Sequence, residues 1–210
     1  MIRSFRLEDL GNIKDEYDGV YFLDNLGVTT ESANSLKYYG GFNQNDYLLL
    51  KQMLEDEKMV IAEYNFFTPG TEDLVKFNTE QLMDIYSLSW KGKYFRNLQR
   101  NKIQKSLGPN FINQWEETNG EWEFSGNGLI LIESGKKRVI VLPEDEFMRE
   151  KFPSIVSTDE TVRDFKVPSE IAYKGWFEIC YEGANQVISH FNLNLNERGE
   201  ELLKQNGLNT

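Results

Sequence analysis

The sequence predicts an α/β fold in three layers, a mainly parallel sheet flanked by helices with C-terminal β-hairpins as an antiparallel extension, and three observations predict it. Two short apolar runs, at Asp18 to Asn25 and Met59 to Asn65, read as buried strands. Strands of a parallel sheet covered on both faces are continuously apolar rather than alternating. Between them lies a helical stretch with Leu48, Leu49, Leu50, Met53 and Leu54 on a broad apolar face. Downstream, paired runs of β-formers separated by polar turn residues read as hairpins.

The first strand closes on Asp24 and Asn25, and a weak helical turn is expected after Thr29-Thr30-Glu31. Tyr39-Gly40-Gly41 breaks the chain before the leucine-rich helix, which Asn43 or Asn45 can cap. The loop after the second strand holds Pro69-Gly70, and Asn78-Thr79-Glu80-Gln81 resembles a capping box opening a helix with Leu82, Ile85 and Leu88 on one side. Trp90 to Leu98 is aromatic and basic, and Pro109 opens a short helix over residues 109–118. Leu129 to Glu133 and Arg138 to Leu142 form one expected hairpin, and Trp176 to Tyr181 with Gln186 to Leu195 a second. Asn196 caps a final helix ending before Gly207, and Pro143 to Val167 is the loosest stretch, a joint or a lid. The expected division is an α/β domain over residues 1–142 and a hairpin-and-helix extension over 143–210, packed on the same core.

The chain of 210 residues has ordinary globular composition, 40% hydrophobic and 27% charged, which excludes general disorder. A net charge of −11 disfavours nucleic acid and anionic membranes as partners, because both require broad contact between phosphates and Lys or Arg. Lys91, Lys93, Arg96 and Arg100 still form a local basic patch. The single cysteine, Cys180, allows no intrachain disulfide, and with His190 as the single histidine no zinc site is expected. No cofactor is expected, and no run is long enough to span a bilayer.

Ligands of open parallel sheets collect beyond the carboxyl ends of the strands. Three such ends converge here, offering Asp24 and Asn25, then Tyr39, Gly40 and Gly41, then Glu63, Tyr64 and Asn65. The glycines admit close approach of backbone amides, and the competing reading is a tight turn. Glu63 ends an apolar strand, where an unpaired carboxylate is costly; Lys93 or Arg96 is a candidate partner, and the preferred competing reading is a structural hydrogen bond to a nearby loop amide.

The order of the Asp18-Gly19-Val20 strand, Gly40-Gly41, the helix and Lys58-Met59-Val60-Ile61-Ala62-Glu63-Tyr64-Asn65 resembles the class I glutamine-amidotransferase-like fold, itself flavodoxin-like. In that family a glycine pair precedes a helix and the next strand ends in a nucleophilic cysteine. Trp90 to Leu98 and Trp122 to Gly128 are similar to segments of degenerate domains of this type in bacterial envelope-associated proteins. The resemblance covers most of residues 18–142. It implies a scaffold that has lost its chemistry, since Glu63-Tyr64-Asn65 stands where the cysteine belongs. It also implies a longer natural chain, this part being extracytoplasmic.

No replacement nucleophile stands out. The reaction needs a thiolate activated by a histidine; Cys180 reads as a small buried hydrophobe and His190 as structural, though facing positions on a hairpin would bring them together. Trp115-Glu116-Glu117 and Glu121-Trp122-Glu123 set carboxylates beside aromatic rings, the residue types of glycan hydrolysis, but no pair is distinguishable by sequence and solvated charge is the preferred reading. The expected function is a noncatalytic ligand-binding or interaction domain for a small molecule, glycan or protein. Its expected cleft comprises Asp24, Asn25, Tyr39, Gly40, Gly41, Glu63, Tyr64, Asn65, Trp90, Lys93 and Arg96. The alternative is a carboxylate-dependent hydrolase.

Overall fold

The structure, a computed structural model, describes residues 10–22, 28–32, 35–39, 42–62, 73–133, 138–149 and 152–208. The chain divides into two compact units, one of residues 1–87 with 180–185 and the other of residues 88–179 with 186–210.

The first unit opens with helix α1 (Leu10–Glu16), strand β1 (Gly19–Phe22) and the antiparallel hairpin β2 (Val28–Ser32) and β3 (Ser35–Tyr39). Helix α2 (Gln44–Glu55), strand β4 (Met59–Ala62) and helix α3 (Asp73–Met83) follow. Helix α2 starts where it does because Asn43 and Asp46 form a capping box. The Asn43 side chain accepts from the Asn45 backbone N–H at 2.8 Å, and Asp46 Oδ2 accepts from the Asn43 backbone N–H at 2.9 Å. Burial pushes the Asp46 carboxyl up, and that backbone bond pulls it back by less.

Strands β1 and β4 pair in parallel, with Gly19 opposite Met59 and Tyr21 opposite Ile61. Side chains alternate across a strand, so Val20, Phe22, Val60 and Ala62 share the face that packs with Leu50, Phe42 and Val75. Leu50 and Met53 are fully buried there, and Phe22 meets Phe42 edge to face at 5.3 Å.

Strand β5 (Tyr86–Phe95) leads into α4 (Arg100–Leu107), α5 (Pro109–Asn119), β6 (Gly128–Glu133), β7 (Val139–Pro143) and the single turn α6 (Glu144–Phe147). Then come β8 (Ser154–Ser157), α7 (Asp159–Phe165), β9 (Glu170–Ala172), β10 (Trp176–Tyr181), β11 (Ser189–Asn192) and α8 (Glu197–Gln205). A four-stranded sheet has the order β10-β5-β6-β7, with β5, β6 and β7 antiparallel. A three-stranded antiparallel sheet has the order β11-β8-β9.

The larger sheet is covered on both faces. Leu129, Leu131, Ile140, Leu142, Trp90 and Tyr94 point to one side, where Phe177, Met148, Leu195 and Leu203 close the core. Ile130, Val141 and Phe95 point to the other, against Ile103, Ile112 and Trp122. Full burial of a side chain of leucine size is worth about 1.5–3 kcal/mol, so the fully buried Leu129, Ile130 and Leu131 make β6 the centre of this unit. Gly92 is required on β5, because a Cβ there would fall 2.6 Å from Leu131 Cδ2 and strike the Phe177 ring.

The mainly parallel sheet that the sequence predicts is not what forms. The sheets are mostly antiparallel, and β1 with β4 is the parallel pair among the described residues. The two apolar runs read as parallel strands do pair in parallel, but that sheet stops at two strands, and the larger sheets are built from β5 to β11, most of which join antiparallel partners that local sequence does not specify.

Other elements depart locally. The expected turn after Thr29-Thr30-Glu31 is the β2–β3 hairpin, built from Val28, Thr29 and Thr30 facing Tyr39, Tyr38 and Lys37. Helix α3 begins at Asp73, so Thr79 lies inside it with its hydroxyl donating to the Val75 carbonyl at 2.8 Å rather than capping a start, and Leu88 belongs to β5. The hairpin over residues 128–143, the proline-led α5 and the Asn196-capped α8 form as expected. The second hairpin does not: β10 joins β5 and β11 joins β8. Its would-be turn is tied down instead. Asp84 Oδ2 accepts from the Ala184 N–H at 2.6 Å, and Asn185 Nδ2 donates to the carbonyls of Met83 at 2.9 Å and Asp84 at 2.8 Å. The stretch expected to be loose carries α6, β8 and α7, the last capped by Thr158.

Candidate functional site

The cleft expected from sequence falls largely outside the described residues, which exclude Asp24, Asn25, Gly40, Gly41, Glu63, Tyr64 and Asn65. Tyr39 is the last residue of β3, its backbone opposite Val28. Trp90, Lys93 and Arg96 all belong to the second unit.

Trp90 is a core side chain, 3% exposed, on the sheet face shared with Leu131. It lies directly opposite Glu133 on β6, and the Arg138 guanidinium stands 5.4 Å from its ring while pairing with the buried Glu133 carboxylate. That arrangement caps the end of the sheet. Lys93 Nζ lies 5.5 Å from the Phe95 ring and 5.4 Å from the Trp176 ring, and Arg96 is exposed.

The candidate chemical groups are placed as follows. Cys180 is exposed on β10 rather than buried, and His190 is exposed on β11. Facing positions on one hairpin are therefore not available to them, because their strands belong to different sheets. Glu116 Oε1 and Oε2 accept from Arg100 Nε and Nη2, each at 2.9 Å, and Oε1 also accepts from the Trp122 backbone N–H at 3.3 Å. The Arg100 bonds hold the Glu116 carboxyl below the usual carboxylate range. A carboxyl so held is ionised at neutral pH and poorly suited to donate a proton. Glu117, Glu121 and Glu123 are exposed. The aromatic rings beside them form a structural cluster, Trp115, Phe111 and Phe124 all meeting Trp122 edge to face at 5.0–6.1 Å.

Tyr94 donates to Glu144 Oε2, and burial, followed by this bond and the carboxylate charge, pushes its phenol up. Tyr94 thus stays a neutral donor across the physiological range. An open recess beside α8 is lined by Arg149, Asn196, Glu197 and Arg198, but its cations are engaged, Arg149 with Glu200 at 2.9 Å and Arg198 with Glu146 at 2.5 Å. Asn196 fills the N-cap by accepting from the Gly199 N–H. Among the described residues no group of three or more His, Cys, Asp or Glu side chains is placed to hold a metal ion. Nor is any helix among them long and apolar enough to cross a membrane.

One surface stands apart from these satisfied clusters. In the first unit, the β1–β4 face opposite α2 presents Tyr21, Met59 and Ile61, which are 55%, 63% and 45% exposed. Gly19 lies beside Met59 on the same face, where a Cβ would fall 2.8 Å from the Met59 carbonyl oxygen, so the two strands approach closely there. Parallel pairs are ordinarily covered on both faces. Here helices cover the Val20 and Val60 face, while Met59 and Ile61 stand exposed on the other. The sequence conceals this surface because Gly19-Val20-Tyr21-Phe22 and Met59-Val60-Ile61-Ala62 are apolar on both faces. Their shortness, four residues each, is the one feature that hints at an incomplete sheet.

Comparison with known protein families, curated proteins and solved structures finds no match to this chain.

Proposed function

We propose that this chain is a noncatalytic interaction domain that binds a polypeptide partner through the open face of the β1–β4 pair. The observation that carries it is the exposure of Met59 and Ile61 on a parallel pair whose other face is packed. Scattered exposed apolar residues are ordinary, whereas neighbouring ones on a rigid strand pair mark interaction sites. Supporting it, Glu116, Glu133 and Tyr94 are each committed to a structural partner.

The test is a selection of displayed peptides on the folded chain, counter-screened against the double variant M59S/I61S. Selected peptides are expected to lose binding to the variant, while the variant unfolds within about 0.5 kcal/mol per substitution of the native chain, as for surface positions. Equal binding to both proteins overturns the proposal. So does a loss near 2–5 kcal/mol, the signature of a core position.

A further inference from the structure

In the second unit, β9 is an outer strand of the β11-β8-β9 sheet, with no described strand on its far side and all of its residues exposed. The pairing with β8 determines which of its backbone groups face outward. The Ser157 N–H donates to the Ser169 carbonyl at 2.9 Å, and the Tyr173 N–H donates to the Pro153 carbonyl at 2.8 Å. These pairs, and Ile155 with Ile171 between them, are the hydrogen-bonded positions of an antiparallel ladder. The intervening residues, Glu170 and Ala172, therefore turn their N–H and C=O groups away from β8. Outward groups of this kind are a template for another strand. The side chains point the same way. Phe191, Ile155 and Ile171 form one cross-strand row that begins at the core, where Phe191 stacks on Phe177, and ends at the edge with Ile171 47% exposed. On the opposite face Glu170 accepts from Ser154 Oγ at 2.6 Å.

We infer that β9 pairs with β9 of a second copy of this chain, antiparallel about a two-fold axis at Ile171. In that register Glu170 lies opposite the partner's Ala172, and each such pair exchanges hydrogen bonds in both directions. Ile171 meets the partner's Ile171, so the apolar row runs on into the second copy, and Glu170 faces a methyl group rather than a carboxylate. Neighbouring registers fit less well. An axis at Glu170 sets two carboxylates opposite each other and brings Pro168, which has no N–H to donate, into the ladder. An axis at Ala172 draws in Lys174, which lies beyond β9 and whose ammonium stands 3.4 Å from the centre of the Phe152 ring. Although the chain carries a net charge of −11, residues 166–174 hold Lys166 and Lys174 against Glu170, so the edge itself is not acidic. Pro168 and the short span of β9 limit the ladder, which makes the dimer a reversible one.

The test is sedimentation velocity of the full chain, in which the dimer fraction is expected to grow with concentration through about 10 µM to 1 mM. A172P removes an outward donor and leaves the bonds to β8 in place, since proline is tolerated where an edge N–H faces away from the sheet. It is expected to weaken the dimer at least about tenfold without lowering the unfolding midpoint. I171K and I171E are each expected to be monomeric, because a charge then faces its own copy, and an equimolar mixture of the two is expected to form a heterodimer. A native chain that stays monomeric throughout overturns the inference. So does a dimer that A172P and both charged variants leave intact, or one that M59S/I61S dissociates and A172P does not. A mixture of I171K and I171E that fails to pair overturns the axis at Ile171.

Discussion

Arg100 on α4 grips Glu116 on α5 through two parallel hydrogen bonds of 2.9 Å, and the same carboxylate accepts from the backbone of Trp122. One side chain thereby joins two helices to the segment that carries the Trp122 ring into the core. Bidentate pairs of this geometry are the more effective kind of surface ion pair. Because the folded-state value of Glu116 lies below its ordinary value, near about 4.3, its contribution is present above that pH and is lost as pH falls through the folded value. The variant E116Q is expected to unfold at lower urea than the native chain at pH 7, with the gap closing in acid. A gap that does not narrow as pH falls into acid would contradict it.

Tyr94 and Glu144 give the opposite sign. Burial and the bond to Glu144 raise the phenol, so its contribution is complete below the unfolded value, about 10, and is lost as pH rises from there through the folded value. Y94F is expected to lose about 1–3 kcal/mol at neutral pH, since a half-buried carboxylate is left short of a donor, and to show a flatter alkaline limb. Chemical denaturation followed from pH 7 to 11 checks both.

Gly92 gives up its side chain so that Phe177 can lie on the sheet beside Leu131. G92A is expected to cost about 1–3 kcal/mol by overpacking. Adding F177L, which removes ring atoms at the point of collision, is expected to recover part of that loss. A double-mutant cycle measured by thermal unfolding gives the coupling, and strictly additive effects would contradict the close approach.

Caps are the simplest local test. Asn43 and Asn196 each accept from backbone N–H groups at a helix start. N43A and N196A are each expected to cost about 1 kcal/mol, and serine at either position to restore most of it, read from urea midpoints at constant slope.

Much of the local structure was legible, and the reasons differ from element to element. Asn43 and Asn196 announced their helices because a cap is a chemical event confined to four residues. Pro109 did the same for α5. The β6–β7 hairpin followed from two β-rich runs around a short polar turn. Strand partners distant in sequence were not legible, because the pairing of β10 with β5 and of β11 with β8 is set by the packed core and not by any local turn. Thr79 and its neighbours imitated a cap because the same hydroxyl bonds equally well to a carbonyl four residues back. Trp90 and Lys93, expected in a cleft, went to opposite faces of β5, as strand alternation dictates. The open β1–β4 face was hidden for a related reason: Met59 and Ile61 look no different in sequence from the packed Val60 between them.

The most direct measurement of the interaction surface is hydrogen–deuterium exchange of the full chain with and without a peptide selected by display on the folded chain. Slowed exchange on adding the peptide is predicted at residues 19–22 and 59–62, the two strands of the parallel pair. Slowed exchange confined instead to β5, which carries Lys93, or none at peptide concentrations that saturate binding, would contradict it.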